Sequence, residues 1–355
     1  MKAPAAILSC ILILWACTGG HSGKANVNTV ELSGTVLQCD SLISASRLIY
    51  YDGRRVIAST SLGPHPIQLF SIMDDSLHFE GAFLNKGRGP NELVSPSYYA
   101  DSSGLYIADN LSASGRLYEY SYAEDKGLTM KAVSDLSGFR PYFFSDKFIR
   151  TGNGKFIVAG GRTNNNEIIS FIDLDRNESI PLDFWPEDGY EGIAAFKQVA
   201  YCGNSSLAVN GKKLMYGCDY GRYLDIMTIE NHKIAGHNLI YGDLPTLQES
   251  KQSPFGVDPE SEFGGLQAKA TDRYIYVRHL NKYTETTDNG YPWNFNDEIE
   301  VFDWNGKPIC KYHTDKPFSA FHVSPDDRSM LTLSTPDPES QEEIFIEYSL
   351  KSDTK

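Results

Sequence analysis

Short apolar runs that alternate with tight turns recur along almost the whole chain. Residues 298–333 show the pattern most clearly, because four runs of four to eight residues, rich in β-branched and aromatic side chains, follow one another there. The turns between these runs, among them Asn305-Gly306 and Ser324-Pro325-Asp326-Asp327, are too short to hold a helix. The pattern therefore predicts a meander of antiparallel strands.

Turn residues mark six hairpins of this kind. Asp-Gly and Asn-Gly pairs favour type I′ hairpin turns, because both central positions of such a turn need a positive φ. The predicted turns are Asp52-Gly53, Ser102-Ser103-Gly104, Gly152-Asn153-Gly154, Asn210-Gly211, Thr271-Asp272 and Ser324-Pro325-Asp326-Asp327.

A third strand with a bulky, small-polar, bulky triplet follows each hairpin. The central residues of the triplets recur about every 50 residues, with one longer interval: Ser71, Ser121, Asp173, Thr228, Asp303 and Ser349. This period predicts an all-β fold, a six-bladed β-propeller of four-stranded antiparallel blades. Because the last unit runs out after three strands, the N-terminal segment Val27 to Leu37 is expected to supply its fourth strand and to close the ring.

Residues 1–16 do not belong to the repeat and are predicted to be a signal peptide. Lys2 is followed by an apolar run from Ala3 to Ala16, which is shorter than the about 20 residues of a membrane-spanning helix. The run ends in Leu14-Trp15-Ala16-Cys17, which resembles the lipobox of bacterial lipoproteins. The alternative is an ordinary secretory signal that happens to contain a cysteine.

The lipobox resemblance implies that Cys17 becomes a lipidated N-terminus. Residues 17–26 are then a flexible tether rich in small residues, and residues 27–355 form the propeller. Lipidation would anchor the protein to a membrane without inserting the chain through it.

Charge narrows the range of partners. The formal net charge is −14, and it becomes about −15 without the signal peptide. Such an acidic protein is not expected to bind nucleic acid or anionic lipid surfaces. The histidines form no metal-binding pair, and the acidic stretch from Asp258 to Glu262 lacks the glycine of a calcium loop, so neither a metal nor a cofactor is expected.

Two motifs connect the chain to a known family. Gly87-Arg88-Gly89-Pro90-Asn91-Glu92-Leu93 looks like the signature of the TolB-like six-bladed β-propeller lipoproteins of Gram-negative bacteria, and Val301-Phe302-Asp303-Trp304-Asn305-Gly306-Lys307-Pro308 is similar to that family's final-blade motif. The resemblance implies a cell-envelope lipoprotein, and most members of the family have no assigned activity. Because no acidic run follows Cys17, the periplasmic side of the outer membrane is the expected location.

The candidate binding residues fall on one face of the predicted ring. Loops that join the second and third strands of a blade share this face with loops between blades, at the mouth of the central channel. Arginine, carboxylate and exposed aromatic side chains there could bind a protein or a glycan. The alternative is that these side chains lock neighbouring blades together or fold down as a lid. The candidates are Arg88, Asn91, Glu92, Arg140, Tyr190 and Trp293.

Two of the cysteines could form a disulfide. Cys202 and Cys218 stand on either side of the hairpin predicted at Asn210-Gly211, within about one register step of each other. Disulfides need such proximity, so a bond that clasps this hairpin is a reasonable expectation.

No motif in the sequence points to catalysis. Gly-x-Ser-x-Gly and the Asp-box repeats of propeller sialidases are both missing. The sequence therefore favours a non-enzymatic module that binds a protein or glycan partner of the cell envelope. The alternative is a hydrolase or lyase that acts on a carbohydrate or lactone through carboxylates such as Glu92.

Overall fold

A computed structural model describes most of the chain between Val27 and Leu350. The signal peptide, the tether and Cys17 lie outside the described residues, and so do Asn91, Arg140, Trp293 and the acidic stretch 258–262. The described residues are 27–39, 45, 47–89, 92–109, 115–123, 127–139, 142, 147–160, 167–202, 205–218, 220–247, 265–281, 290–292, 294–340 and 342–350.

The described strands group into six antiparallel units, numbered here as blades 1 to 6 in chain order. The first three blades each contain four strands in sequence. Blade 1 comprises β3 (Arg47–Tyr51), β4 (Arg55–Ser59), β5 (Ile67–Met73) and β6 (Ser76–Phe83). Blade 2 comprises β9 (Pro96–Asp101), β10 (Gly104–Asp109), β11 (Arg116–Ala123) and β12 (Gly127–Asp135). Blade 3 comprises β13 (Phe148–Gly152), β14 (Lys155–Ala159), β15 (Ile169–Asp173) and β16 (Glu178–Pro181).

Blades 4 to 6 follow the same order, except that an N-terminal strand completes the last blade. Blade 4 comprises β17 (Ser205–Asn210), β18 (Lys213–Cys218), β19 (Tyr223–Glu230) and β20 (Lys233–Gly242). Blade 5 comprises β21 (Leu266–Ala270), β22 (Tyr274–His279), β23 (Asn296–Asp303) and β24 (Pro308–Phe318). Blade 6 comprises β25 (Ala320–Val323), β26 (Ser329–Ser334), β27 (Ile344–Ser349) and β2 (Thr35–Cys39), while β1 (Thr29–Leu32), β7 (Asn85–Lys86) and β8 (Glu92–Leu93) lie outside this scheme.

Apolar cores lie between the blades. Six clusters of buried side chains are present among the described residues, and each joins two consecutive blades, including blade 6 to blade 1. The second strand of each blade is the most buried; β10, for example, is buried at every position. A strand that faces a neighbouring blade on both sides has no solvent face, which explains its continuous apolar run. The closed ring of cores confirms the predicted propeller.

The six predicted hairpins are confirmed, but the turn is shifted by one residue in blades 1, 4 and 5. Each predicted turn joins the first and second strands of a blade. In blades 1 and 5 the Asp52 amide donates to the Arg55 carbonyl and the Thr271 amide to the Tyr274 carbonyl, so the turns are Gly53-Arg54 and Asp272-Arg273. In blade 4 Asn210 pairs with Lys213, so the turn consists of Gly211 and Lys212 rather than Asn210-Gly211. The φ of Gly211 is +57°, a left-handed conformation that glycine adopts without steric cost.

The N-terminal segment, residues 29–39, closes the ring with two short strands. We call this segment the strap. Strand β2 pairs antiparallel with β27 and provides the fourth strand of blade 6, as predicted. The prediction of one strand from Val27 to Leu37 was wrong, because β1 instead pairs in parallel with β24 and adds a fifth strand to blade 5. The strap breaks at Gly34, which crosses from one blade to the next.

Hydrogen bonds hold this crossing in place. Asp315 of blade 5 accepts hydrogen bonds from the Ser33 hydroxyl and the Gly34 amide, both at 3.3 Å, and from the Tyr348 hydroxyl of blade 6 at 3.0 Å. Strand β2 also pairs with β6 of blade 1 over Gln38 and Cys39. The strap thus joins blades 5, 6 and 1.

The second family-like motif lies in blade 5 and not in the final blade. Its Trp304 donates a hydrogen bond to the Thr271 carbonyl at 2.9 Å, and Lys213 of blade 4 donates to the Trp304 carbonyl and the Asn305 amide oxygen, both at 2.6 Å. Gly306 has a φ of +75° and lies directly against the Asn238 side chain. The motif therefore joins blades 4 and 5.

Helix is scarce in the described part of the chain. A 3₁₀ turn covers Ser137–Phe139 and one α-helix, α1, covers Ala194–Cys202. No described helix has the length and apolarity needed to cross a membrane.

Candidate functional site

The long connections of the ring begin and end on one of its two faces. We call this face the mouth face; it carries the connections between second and third strands and those between blades. The opposite face, the turn face, carries tight turns between first and second strands and between third and fourth strands. Connections on the mouth face include 60–66, 84–95, 182–204, 243–265 and 280–295, parts of which lie outside the described residues.

The signature loop after blade 1 is closed by its own glutamate. Strands β7 and β8 pair in parallel, and the Glu92 carboxylate accepts a hydrogen bond from the Gly89 amide at 2.7 Å. A side chain at Gly87 would overlap this carboxylate, and one at Gly89 would contact it at 3.0 Å. Leu93 is buried between blades 1 and 2. The glycines and Glu92 therefore form one structural unit, in which the carboxylate closes its own loop.

Arg88, by contrast, points into solvent. It is exposed and forms no ion pair or hydrogen bond with any described residue. The adjoining loop 60–66 is bound to this segment through the Lys86 amide, which donates to the Pro64 carbonyl at 2.8 Å. Leu62 on that loop is 69% exposed and Val94 is 39% exposed. A free guanidinium and two exposed aliphatic side chains thus share this part of the mouth face.

The connection between blades 3 and 4 contains a buried ion pair. Lys197 of α1 donates to the Asp188 carboxylate at 2.8 Å and to the Pro186 carbonyl, and its Nζ lies 4.9 Å from the centroid of the Trp185 ring. The two charged side chains are only 5% and 4% exposed. The buried ammonium thus has two hydrogen-bond acceptors and an aromatic ring around it, which compensate for its loss of water.

Asp188 fixes the shape of this connection. Its carboxylate also accepts hydrogen bonds from the Tyr190 amide and the Tyr201 hydroxyl, each at 3.0 Å. Tyr190 is half-buried beside this centre, and Ile193 nearby is 53% exposed. Tyr190 and Ile193 thus lie on the mouth face next to the hydrogen-bonded centre formed by Asp188.

A second polar centre lies between blades 4 and 5. Glu300 of β23 accepts hydrogen bonds from His279 at 3.0 Å and from Tyr241, and Lys311 lies 3.5 Å from its other oxygen. Burial opposes ionisation of Glu300, but these hydrogen bonds and the two basic groups outweigh it and lower its pKa to about 2. Glu300 is therefore a carboxylate held by three partners, which is unsuited to donating a proton near neutral pH.

Replacement of Glu300 by glutamine is expected to weaken the acid sensitivity of the fold. The folded-state pKa of about 2 lies below the ordinary value of 4.5, so ionised Glu300 stabilises the protein above pH 4.5, and this contribution disappears as the pH falls toward 2. Urea unfolding midpoints measured from pH 6 to pH 2.5 should fall less steeply for Glu300→Gln than for the wild type. Glu298→Gln, on the same strand and 48% exposed, is the control and should keep the wild-type slope; equal slopes for all three proteins would refute the assignment.

The disulfide expected between Cys202 and Cys218 is not formed. Both are buried free thiols, and their Sγ atoms lie 3.3 and 3.6 Å from the carbonyl oxygens of Ile168 and Ala200. The blade 4 hairpin pairs Cys218 with Ser205, whereas Cys202 ends α1, so the two cysteines are not opposed across the hairpin. Burial raises the pKa of the Cys202 thiol, which keeps it protonated.

The described residues support only part of the predicted site. Arg88, Glu92 and Tyr190 all lie on the mouth face, where Arg88 is exposed and the other two are half-buried; Asn91, Arg140 and Trp293 are outside the described residues. No cluster of three or more His, Cys, Asp or Glu side chains suited to a metal occurs in the described ranges. The sequence prediction missed Leu62, Val94 and Ile193, which are single apolar residues in polar loops and give no periodic signal.

Comparisons with known proteins agree with this architecture. The sequence matches the family described as TolB-like 6-blade propeller-like over residues 63–326. No curated protein matches it significantly.

Two solved structures share the fold at low sequence identity. A DUF4221 family protein from Bacteroides vulgatus is 13% identical, with a TM-score of 0.55, and the match covers 92% of this chain and 97% of the other. A protein of Bacteroides fragilis described as exported is 12% identical, with a TM-score of 0.53, and the match covers 91% of this chain and 99% of the other. At such identities the similarity establishes the fold alone.

Proposed function

Because this chain belongs to the TolB-like six-bladed propeller family, we propose that it is a cell-envelope lipoprotein that binds a partner through its mouth face without catalysing a reaction. One observation carries the proposal. The exposed aliphatic side chains Leu62, Val94 and Ile193 and the free guanidinium of Arg88 lie on the mouth face, where the long connections gather. Arginine is enriched at protein interfaces, and apolar side chains form the buried core of such interfaces.

The envelope location rests on the N-terminal sequence. The lipobox-like end of the signal peptide would lipidate Cys17, and the similar protein of Bacteroides fragilis is described as exported. The lack of an acidic run after Cys17 supports the periplasmic side of the outer membrane. Lipid at Cys17 would be the protein's membrane contact, and the acidic net charge makes nucleic acid an unsuitable ligand.

A protein partner is favoured over a glycan by the described surface. Sugar binding relies on exposed aromatic rings, whereas Tyr190 is half-buried. The hydrolase or lyase alternative is less favoured, because the carboxylate of Glu92 accepts a hydrogen bond from the Gly89 amide of its own loop. A glycan partner is the alternative, and the experiment described next also tests for it.

Photo-crosslinking in intact cells tests this proposal. A benzophenone amino acid in place of Leu62, on the mouth face, is expected to capture a specific partner, because large apolar groups at interfaces become buried on binding. The same substitution at Met73 is the matched control, since Met73 is 53% exposed at the turn-face end of β5 in the same blade. The adduct should disappear when Leu62 carries the probe and Arg88 is changed to alanine.

Two results would contradict the proposal. Equal capture from Leu62 and Met73 would mean that the mouth face has no special role. If no adduct forms, and peptidoglycan fragments instead raise the thermal midpoint of the purified protein, the partner is a glycan. That shift should then be lost on Tyr190→Ala.

A further inference from the structure

The chain enters the ring from the turn face. Strand β24 follows the tight turn after Asp303 on the turn face and leads into blade 6 on the mouth face. Strand β1 runs parallel to β24, with Thr29 opposite Lys311 and Leu32 opposite Thr314. The residue before β1, Asn28, accepts a hydrogen bond from the Lys311 amide at 3.0 Å. The first described contact of the chain with blade 5 is therefore at the end of β1 nearer the turn face.

We infer that the anchored ring stands with its turn face toward the membrane and presents its mouth face away from it. This inference rests on the lipid anchor proposed above. It deepens the proposed function, because it requires that the partner be met in the aqueous compartment beyond the ring and not within the membrane that holds the anchor.

The length of the tether favours this orientation. Eleven peptide bonds separate Cys17 from Asn28. A linker of this length that is rich in small residues spans about 18 Å on average and about 40 Å when fully extended. Lys311 and Phe318, at the mouth-face end of β24, lie about 23 Å apart along the strand. To turn the mouth face toward the membrane, the tether would have to span at least these roughly 23 Å, which is more than its average length and costs conformational entropy.

Surface charge does not oppose this orientation. Basic groups of the turn face stand next to carboxylates: Lys212 pairs with Glu230 at 2.7 Å and Arg328 with Asp326 at 3.5 Å. These paired charges neither attract nor repel anionic lipid strongly. The orientation therefore rests on the position of β1 and the length of the tether.

Energy transfer to labelled lipid tests the inference on the lipidated full-length protein in vesicles. Ser95 and Ser102 flank β9 on the mouth face and the turn face, both exposed, so Ser95→Cys and Ser102→Cys place the same dye at opposite ends of one strand. The half-buried Cys39 and Cys310 are first changed to serine, and dye labelling of that parent protein gives the background. We expect stronger transfer from Ser102, whose dye would be closer to the lipid by up to about 20 Å, the length of the strand.

Each outcome has a distinct meaning. Equal transfer from the two dyes, or stronger transfer from Ser95, would overturn the orientation while leaving the anchor intact. A Cys17→Ser variant should show no transfer from either position. If the unchanged Cys17 protein also shows none, the anchor itself is absent, and the orientation is refuted together with that part of the proposed function.

Discussion

Replacement of Lys197 by methionine is expected to lower the free energy of unfolding by about 3–5 kcal/mol, the usual cost when a buried ion pair loses one partner. Methionine occupies a similar volume but leaves the Asp188 carboxylate, 4% exposed, without its cation. Because Asp188 also holds Tyr190 and Tyr201, the connection between blades 3 and 4 should loosen. Urea unfolding followed by tryptophan fluorescence measures the effect, since Trp185 contacts the Lys197 ammonium.

Lys212→Met is the matched control for this experiment. Lys212 and Glu230 have almost the same separation, 2.7 Å, but their side chains are 72% and 50% exposed. Water screens such a pair, so its loss should leave stability unchanged within error. Equal effects in the two variants would show that burial of the Lys197 pair has no energetic consequence.

Gly34→Ala is expected to destabilise the protein by about 1–3 kcal/mol through overpacking. A methyl group at this position would overlap the Ile346 side chain and lie 2.7 Å from the Tyr348 ring. Ile346 is 1% exposed and Tyr348 is fully buried, so neither can move aside easily. The thermal midpoint should fall, and protease should cleave the strap before it cleaves the blades.

Gly236→Ala provides the control for the strap variant. No atom lies within 4 Å of a methyl group built on Gly236, in the outer strand of blade 4. Alanine there should change stability by less than about 1 kcal/mol, because only backbone entropy is affected. A Gly34→Ala protein as stable as Gly236→Ala would contradict the tight crossing between blades 5 and 6.

Much of the ring can be predicted from local sequence because its repeating unit is local. The hairpin at Asp52-Gly53 and the triplet around Ser71 belong to one blade and pair with near neighbours. The continuous burial of second strands such as β10 also leaves a direct mark, an uninterrupted apolar run. The period of about 50 residues followed from these signals.

Features that depend on distant partners were missed or misplaced. The break of the strap at Gly34 is set by Ile346, Tyr348 and Asp315, which no local pattern links to it. The hydrogen bond from the Gly89 amide to Glu92 is local, since it joins residues only three apart, but the order of residues does not show that the carboxylate turns inward. The sequence left open whether Arg88 is exposed or locks neighbouring blades together, and only the contacts in three dimensions distinguish the two.

The strap also determines when the protein can finish folding. The Ser33 hydroxyl of the strap donates a hydrogen bond to Asp315, 282 residues later in the chain. Strand β2 cannot pair until β27 of the last blade has been made. During synthesis the strap emerges first, yet its partner strands emerge last, so contacts of very high sequence separation must form at the end. Blades 1 to 4 can assemble on partly completed chains, but the ring closes only after translation has reached the C-terminal strands. The order of the strands thus delays the closed native ring until the chain is nearly complete.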